Sequence, residues 1–173
     1  MAEHGAAIVL IGFMGTGKSS VGRVLAEQTG FGRYDTDELI AGSAGMSITD
    51  LFDRHGEEEF RRRETEVLRQ LPPGEAVIVT GGGIVLRPEN VAMLHALGTV
   101  VNLTADLKTL FERVSHRSTR PLLRTDDPRR TLAELLQARE PLYRAAADFE
   151  VDTSALTHDE VATAILTRIE LHR

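Results

Sequence analysis

The sequence predicts an α/β fold in which a five-stranded parallel sheet carries helices on both faces. Its 173 residues suit one domain with a sizeable core. Five short apolar runs are typical of buried strands, and they lie near residues 6–11, 31–34, 76–80, 99–103 and 148–151. Helical apolar periods fill the gaps between them. Because strands alternate with helices, crossover connections join the strands, and the sheet is expected to be parallel.

The composition is typical of a small-molecule enzyme of the cytoplasm. Apolar residues make up 42% of the chain, and we expect neither a membrane span nor a secretory signal. The absence of cysteine excludes a disulfide scaffold, a cysteine-based zinc site and a cysteine nucleophile. The net charge of −6 argues against a nucleic-acid surface, which needs clustered Lys and Arg. We therefore expect no nucleic-acid or membrane partner.

A phosphate-binding loop follows the first strand. Residues 12–19 read GFMGTGKS, which matches the G-x-x-x-x-G-K-[ST] pattern between a strand and a helix. Glycines let backbone N–H groups turn toward a polyphosphate, and the helix adds its positive N-terminal end. Lys18 is expected to reach the β- and γ-phosphates, and the Ser19 hydroxyl to bind Mg²⁺. The alternative is a glycine-rich turn that binds nothing. The predicted nucleoside triphosphate site contains Gly15, Thr16, Gly17, Lys18, Ser19 and Ser20.

The helices carry start and stop signals. The first is expected to end at Gly30, and the next to begin after Ser47 and to stop at Gly56. Thr157 and Glu160 form a capping box that opens the last helix.

Two carboxylates follow the second strand, at the end of a strand where ligands sit in open α/β sheets. Asp35 is expected to hold Mg²⁺ through water. Asp37 is expected to accept a hydroxyl proton or to orient that hydroxyl for in-line attack. The alternative is that Asp37 only caps a helix beginning at Glu38.

The helical stretch 37–70 is longer than a crossover needs, and we expect it to hold the second substrate. Within it, Arg61 and Glu64 lie three residues apart, so the carboxylate can fix the guanidinium on one helix face. An arginine held in this way suits a bidentate grip on a substrate carboxylate. A solvated charged face is the alternative.

Three glycines, residues 81–83, follow the third strand, where motor and switch proteins with this loop usually carry a Mg²⁺-binding Asp. They indicate a backbone that a ligand approaches closely, or else a flexible turn. The missing Asp argues against an ATPase motor.

A polar and basic stretch, residues 115–127, lies between two helices and is expected to form a mobile lid that carries Arg120. Arg139 stands before Glu140 and Pro141, where we expect the helix to break. Together with Lys18 and Arg61, these two arginines would form a site of four cations. Such a site suits a triphosphate and an anionic acceptor.

Together these pieces resemble the shikimate kinase family, in the same order and over nearly the whole chain. The matching segments are residues 12–19, 35–37 (DTD), 60–64, 81–83, 120–123 (RPLL) and 139–143 (REPLY). The resemblance implies a three-layer P-loop NTPase fold in a single domain, residues 1–173, with a lid and a helical substrate-binding insertion. It implies ATP-dependent phosphorylation of the 3-hydroxyl of shikimate, a step in aromatic amino acid biosynthesis, with Mg²⁺ as cofactor. It also implies a monomer.

For the nucleotide, the resemblance implies that Lys18 and Arg120 are catalytic, with Arg120 approaching the phosphates from the lid. Arg113 would lie against the adenine. Ser19 would bind Mg²⁺ directly and Asp35 through water.

For the acceptor, the resemblance implies that Asp37 contacts the shikimate hydroxyls and favours the nucleophile. Arg61 and Arg139 would hold the carboxylate, and the Gly82 backbone would line the pocket. Phe52 and Phe60 would form an apolar wall.

The chain departs from the family pattern near the adenine. Some members of the family carry an Arg soon after the last strand that closes the adenine site, and residues 151–156 contain none. Contacts on that side are expected from the backbone or from Thr153 and Ser154. Two alternative functions stay open: a kinase of another small hydroxy acid such as gluconate or quinate, and a non-catalytic, nucleotide-dependent binding protein. A nucleic-acid kinase is disfavoured by charge and by the low aromatic content of 5%.

Overall fold

The computed structural model describes residues 6–116 and 120–171. Within them, five strands, β1 to β5, span Ala7–Gly12, Gly32–Asp35, Ala76–Val79, Gly98–Thr104 and Phe149–Asp152. The α-helices, α1 to α7, span Lys18–Thr29, Thr36–Ala44, Ile48–Gln70, Pro88–Leu97, Leu107–Ser115, Pro128–Ala146 and His158–Leu171. Short 3₁₀ helices cover Ile84–Leu86 and Pro121–Leu123.

The strands form one parallel sheet in the order β2-β3-β1-β4-β5, which confirms the predicted fold class. Each strand boundary lies within one residue of its predicted run. Helices cover both faces because β1 is apolar on both: Val9 and Ile11 pack into one core cluster, and Ile8 and Leu10 into the other. None of the helices in the described ranges combines the length and apolar character that a membrane crossing requires.

The predicted helix signals hold at three ends. Gly30 is the C-cap of α1, with a φ of 75°, a left-handed conformation that suits glycine. The Ser47 hydroxyl caps α3 by accepting from the Asp50 N–H. In the capping box of α7, the Thr157 N–H donates to Glu160 at 2.7 Å, and the Glu160 N–H donates to the Thr157 hydroxyl at 3.2 Å.

Two helix breaks were predicted, and they differ in outcome. Gly56 interrupts α3 with a φ of 82°, but the helix resumes immediately and runs on to Gln70. The break predicted near Pro141 is wrong, because α6 continues through it from Pro128 to Ala146. The side chains on both sides of the proline, Arg139 and Tyr143, are buried, and this packing keeps the helix continuous. The carbonyl that the proline leaves unbonded belongs to Gln137, which is exposed to water.

The predicted lid, residues 115–127, connects α5 to α6. Its residues 117–119 lie outside the described part of the chain. In the remainder, Arg120 precedes the 3₁₀ helix Pro121–Leu123, and Arg124 pairs with Asp53 of α3 at 2.8 Å. Because all strands run the same way, the phosphate loop, Asp35 and the glycines 81–83 meet at one edge of the sheet, beside this connection.

Candidate active site

The phosphate loop is shaped by its glycines and closed by its lysine. Gly15 and Gly17 have φ values of 85° and 94°, which other residues rarely adopt. Lys18 is buried at the start of α1, and its ammonium donates to the carbonyls of Gly12 at 2.7 Å and Phe13 at 3.0 Å. Burial, with the nearby Arg120 charge, lowers the pKa of Lys18 to about 7. A bound polyphosphate would supply the negative charge that keeps this ammonium protonated.

A cleft of about 390 Å³ runs along the loop. Most of the residues predicted to bind the nucleotide line it: Gly15, Gly17, Lys18, Ser19, Ser20, Arg113 and Arg120. Thr16 does not, because its side chain is buried behind the loop and its hydroxyl donates to the Phe13 carbonyl at 2.8 Å. The Thr16 side chain therefore stabilises the loop from within.

Ser19 and Asp35 face each other at the cleft wall, with their side-chain oxygens 3.4 Å apart. The other oxygen of Asp35 caps α2 by accepting from the N–H groups of Asp37 and Glu38, at 3.0 and 3.3 Å. The alternative that Asp37 only caps a helix beginning at Glu38 is therefore wrong, since α2 begins at Thr36 and Asp35 is its cap. The Asp37 side chain lines the cleft instead.

A smaller pocket, about 80 Å³, adjoins the cleft and shares Asp37, Gly81, Gly82 and Arg120 with it. One wall is apolar, with the rings of Phe52 and Phe60 4.8 Å apart. The other side is charged and carries Asp37, Arg61, Glu64, Arg120 and Arg139. The structure thus brings all the predicted acceptor-site residues together around one small space.

Arg61 is almost fully buried and is held by acids of its own helix. Glu64 lies 2.7 Å from one guanidinium nitrogen, which confirms the predicted contact, and Glu57 lies 3.1 Å from another. The guanidinium also lies 5.1 Å from the centre of the Phe60 ring. Fixed in this way, it presents a planar fork to the pocket.

The glycines give room to these side chains. A Cβ at Gly83 would lie 2.1 Å from Arg61 Nη1, and one at Gly81 would lie 2.8 Å from Asp37 Oδ1 and 2.9 Å from Glu64 Oε1. At Gly82 the nearest atoms are 3.6 Å away, an ordinary contact distance. Glycine at 81 and 83 therefore lets the chain's own site residues keep their observed positions.

The acids of the site are electrostatically strained. Burial raises the pKa of Asp37, and the Asp35 charge raises it further, while Lys18 and Arg120 oppose the change. Burial raises the pKa of Glu64 to about 7, against the attraction of Arg61. Both carboxyls therefore stay partly protonated at a higher pH than exposed carboxyls would.

Helix α6 closes the pocket with two buried residues. Arg139 lines the pocket, and the Tyr143 hydroxyl donates to the Gly82 carbonyl. This bond ties the glycine run to α6, and burial raises the pKa of Tyr143 to about 12, so its hydroxyl keeps its proton. Sequence reasoning missed the tyrosine's contact, because nothing local relates residue 143 to residue 82.

At the far end of the cleft, Arg113 is fixed by the Gly15 carbonyl at 3.1 Å and by the Thr153 hydroxyl and carbonyl at 3.0 and 2.9 Å. The Thr153 side chain is buried, and the Ser154 hydroxyl accepts from the Asp106 N–H. Thr153 therefore positions Arg113. His158, the first residue of α7, also lines the cleft and was not predicted. Its place in the segment that follows β5, one residue after the start of the capping box at Thr157, was the available signal.

Comparison with known proteins gives one consistent result. Residues 14–170 match the family model for shikimate kinase. The chain is 46% identical to the shikimate kinase of Thermodesulfovibrio yellowstonii, over 94% of each chain. It is 44% identical to that of Geobacter sulfurreducens, over 99% of this chain and 94% of the relative. The solved structure of Acinetobacter baumannii shikimate kinase in complex with shikimate superposes with a TM-score of 0.92 at 34% identity, covering 99% of this chain and 96% of that one.

Proposed function

The chain belongs to the shikimate kinase family, and from that premise we propose how its site performs the reaction. The enzyme is a kinase that transfers the γ-phosphoryl group of ATP to the 3-hydroxyl of shikimate, giving shikimate 3-phosphate for aromatic amino acid biosynthesis. One observation supports the assignment of roles above all others. A phosphate-loop cleft opens directly into a small pocket lined by two carboxyls, Asp37 and Glu64, and by the two buried arginines Arg61 and Arg139.

The nucleotide lies along the cleft. The N–H groups of residues 15–20 and the α1 N-terminus bind the phosphates, and Lys18 leaves the loop carbonyls to meet the β- and γ-phosphates. The adenine lies at the end that Arg113 borders, where three hydrogen bonds hold the guanidinium in place.

Mg²⁺ fits the pair formed by Ser19 and Asp35. Both offer oxygen, the ligand that Mg²⁺ prefers, and their 3.4 Å separation allows a hydroxyl to bind directly and a carboxylate through water. When bound with ATP, the metal neutralises phosphate charge.

The acceptor lies in the smaller pocket. Arg61 and Arg139 hold its carboxylate, and the Phe52 and Phe60 rings pack beside its ring. The Gly82 backbone borders the same space. Asp37, at the junction of the two spaces, contacts the acceptor hydroxyl and directs its oxygen toward the γ-phosphate.

Transfer itself is mostly a matter of position and charge. Arg120 lies close enough to Lys18 and Asp37 to influence the pKa of both, so it can reach the transferred phosphoryl group. The hydroxyl proton passes toward Asp37 as the new O–P bond forms and ADP leaves. Closure of residues 115–127 over the cleft would keep water from competing as acceptor.

The same proposal covers organisation and location. Residues 1–173 act as one domain, with residues 37–70 as the acceptor-binding segment, and the enzyme works as a monomer. We place it in the cytoplasm, because the ATP that it consumes is there.

The test is a coupled assay of ADP release from Mg-ATP. It is run without an acceptor and then with shikimate, quinate or gluconate. Stimulation by shikimate alone supports the acceptor site as described. Stimulation by quinate or gluconate keeps the kinase but reassigns Asp37, Arg61 and Arg139. No stimulation by any acid would overturn the proposed site and favour a nucleotide-dependent binding protein.

A further inference from the structure

Two buried carboxyl oxygens beside Gly81 lack a hydrogen-bond partner among the described residues. They are Oδ1 of Asp37 and Oε1 of Glu64. Both lie within 3 Å of one point, the position that a Cβ of Gly81 would occupy. An unpaired buried acceptor is energetically costly and uncommon in folded proteins. Two that face the same space therefore need an explanation.

The other oxygen of Glu64 is already committed. Oε2 accepts from Arg61 Nη1 at 2.7 Å, and Glu64 has no exposed surface. Ionised carboxylates only accept hydrogen bonds, so two of them side by side leave both inner oxygens unpaired and repelling. A proton on Oε1 of Glu64 would turn that oxygen into a donor facing the same space as Oδ1 of Asp37, so that one proton could satisfy both atoms.

We propose that Glu64 acts as a neutral acid that donates from Oε1 to Asp37 Oδ1, so that it positions the Asp37 carboxylate while its other oxygen fixes Arg61. Glu64 is thus a positioning residue that links the carboxylate-binding arginine to the residue that directs the hydroxyl. This inference rests on the proposed role of Asp37 at the acceptor.

The charges around Glu64 are balanced closely enough for it to change state near neutral pH. Arg61 on its own helix and Arg139 on α6 favour the anion, whereas burial and Asp37 on α2 favour the acid. Tyr143 of α6 also faces it and stays protonated. With its pKa raised to about 7, Glu64 carries the proton below that pH and loses it above.

Loss of the proton removes the donor to Asp37 and places an anion beside both Asp37 and the acceptor's carboxylate. We therefore expect kcat/KM for shikimate to fall roughly tenfold as the pH rises from about 6 to about 8.5, which is the size of effect that one charge-assisted hydrogen bond produces.

The experiment is Glu64→Gln, measured across that pH range with saturating Mg-ATP. The amide keeps both bonds of the neutral acid, since its nitrogen can donate to Asp37 and its oxygen can accept from Arg61, but it cannot ionise. We expect activity within about twofold of wild type at the acid end, and little dependence on pH, so that the variant exceeds wild type at the alkaline end. Glu66→Gln, an exposed acid on the same helix, is the matched control and should keep the wild-type profile.

Two results would overturn the proposal. A loss of more than tenfold in E64Q at every pH would show that the ion pair with Arg61, and not the proton, is what the site needs. A wild-type pH profile in E64Q would place the titration elsewhere.

If E64Q does not fold, infrared spectroscopy of the wild type gives a separate test: a carboxylic-acid C=O band lost on raising the pH through 7 supports the proposal, and its absence at pH 6 refutes it. Asp37→Asn tests the proposed function separately, because a variant with unchanged turnover would refute the role of Asp37 whatever E64Q does.

Discussion

Gly83→Ala tests the acceptor site by adding one methyl group. The backbone at Gly83 has a φ of −99°, which alanine adopts without strain. The new Cβ would lie 2.1 Å from Arg61 Nη1, 2.4 Å from Cζ and 2.5 Å from Nη2. An ordinary contact needs at least 3.4 Å, so the guanidinium has to retreat by more than about 1 Å.

That displacement has a calculable effect. It breaks the 2.7 Å bond to Glu64 and moves the fork that holds the acceptor carboxylate. A misplacement of this size typically costs up to about 100-fold, and a lost charge-assisted bond about 1.5–3 kcal/mol. We therefore expect kcat/KM for shikimate to fall by about 10- to 100-fold, mainly through a raised KM, with KM for ATP changed less than about twofold.

The assay is coupled ADP release with each substrate varied in turn, together with thermal unfolding. Gly42→Ala is the matched control, because a Cβ there meets nothing within 4 Å and alanine favours the helix. It should leave the kinetics unchanged. If Gly83→Ala kept the wild-type KM for shikimate, Arg61 would not be needed in its observed place. If both KM values rose together, the damage would extend beyond the acceptor pocket.

Further predictions follow from single contacts. Lys18→Ala should lower kcat by about 10³-fold, because its ammonium stabilises the charge of transfer, and unchanged turnover would refute the mechanism. Arg61→Ala should raise KM for shikimate and spare KM for ATP; the reverse pattern would contradict its role. Thr157→Ala should lower the free energy of unfolding by about 1 kcal/mol in urea titrations without affecting activity, through loss of the α7 cap. Because burial raises the pKa of Glu64 from 4.5 to about 7, the stability of the wild type should fall as the pH rises through that range, and the decline should be smaller in E64Q when unfolding is followed at each pH.

The sequence was sufficient for the parts of the molecule that local rules govern. Apolar runs located all five strands within one residue, and the caps at Gly30, Ser47 and Thr157 formed as predicted. These features depend on backbone hydrogen bonds and side chains a few residues apart, so a single sequence contains their causes. The helix break predicted at Pro141 was wrong, because the local effect of the proline was outweighed by packing on both sides of it.

The site shows where such rules end. From the sequence, the glycines at 81–83 indicated close approach by a ligand, and Arg61 with Glu64 indicated a fixed fork. In the structure the two observations have one cause, since the space that Gly83 leaves open is filled by the Arg61 guanidinium. The residues come together only when α3 packs beside the end of β3, which no spacing in the sequence expresses. The same packing buries Glu64 beside Asp37 and so creates the neutral acid that we propose the site uses. Residue types could therefore be assigned to chemistry in advance, but their charge states depend on contacts that only the fold creates.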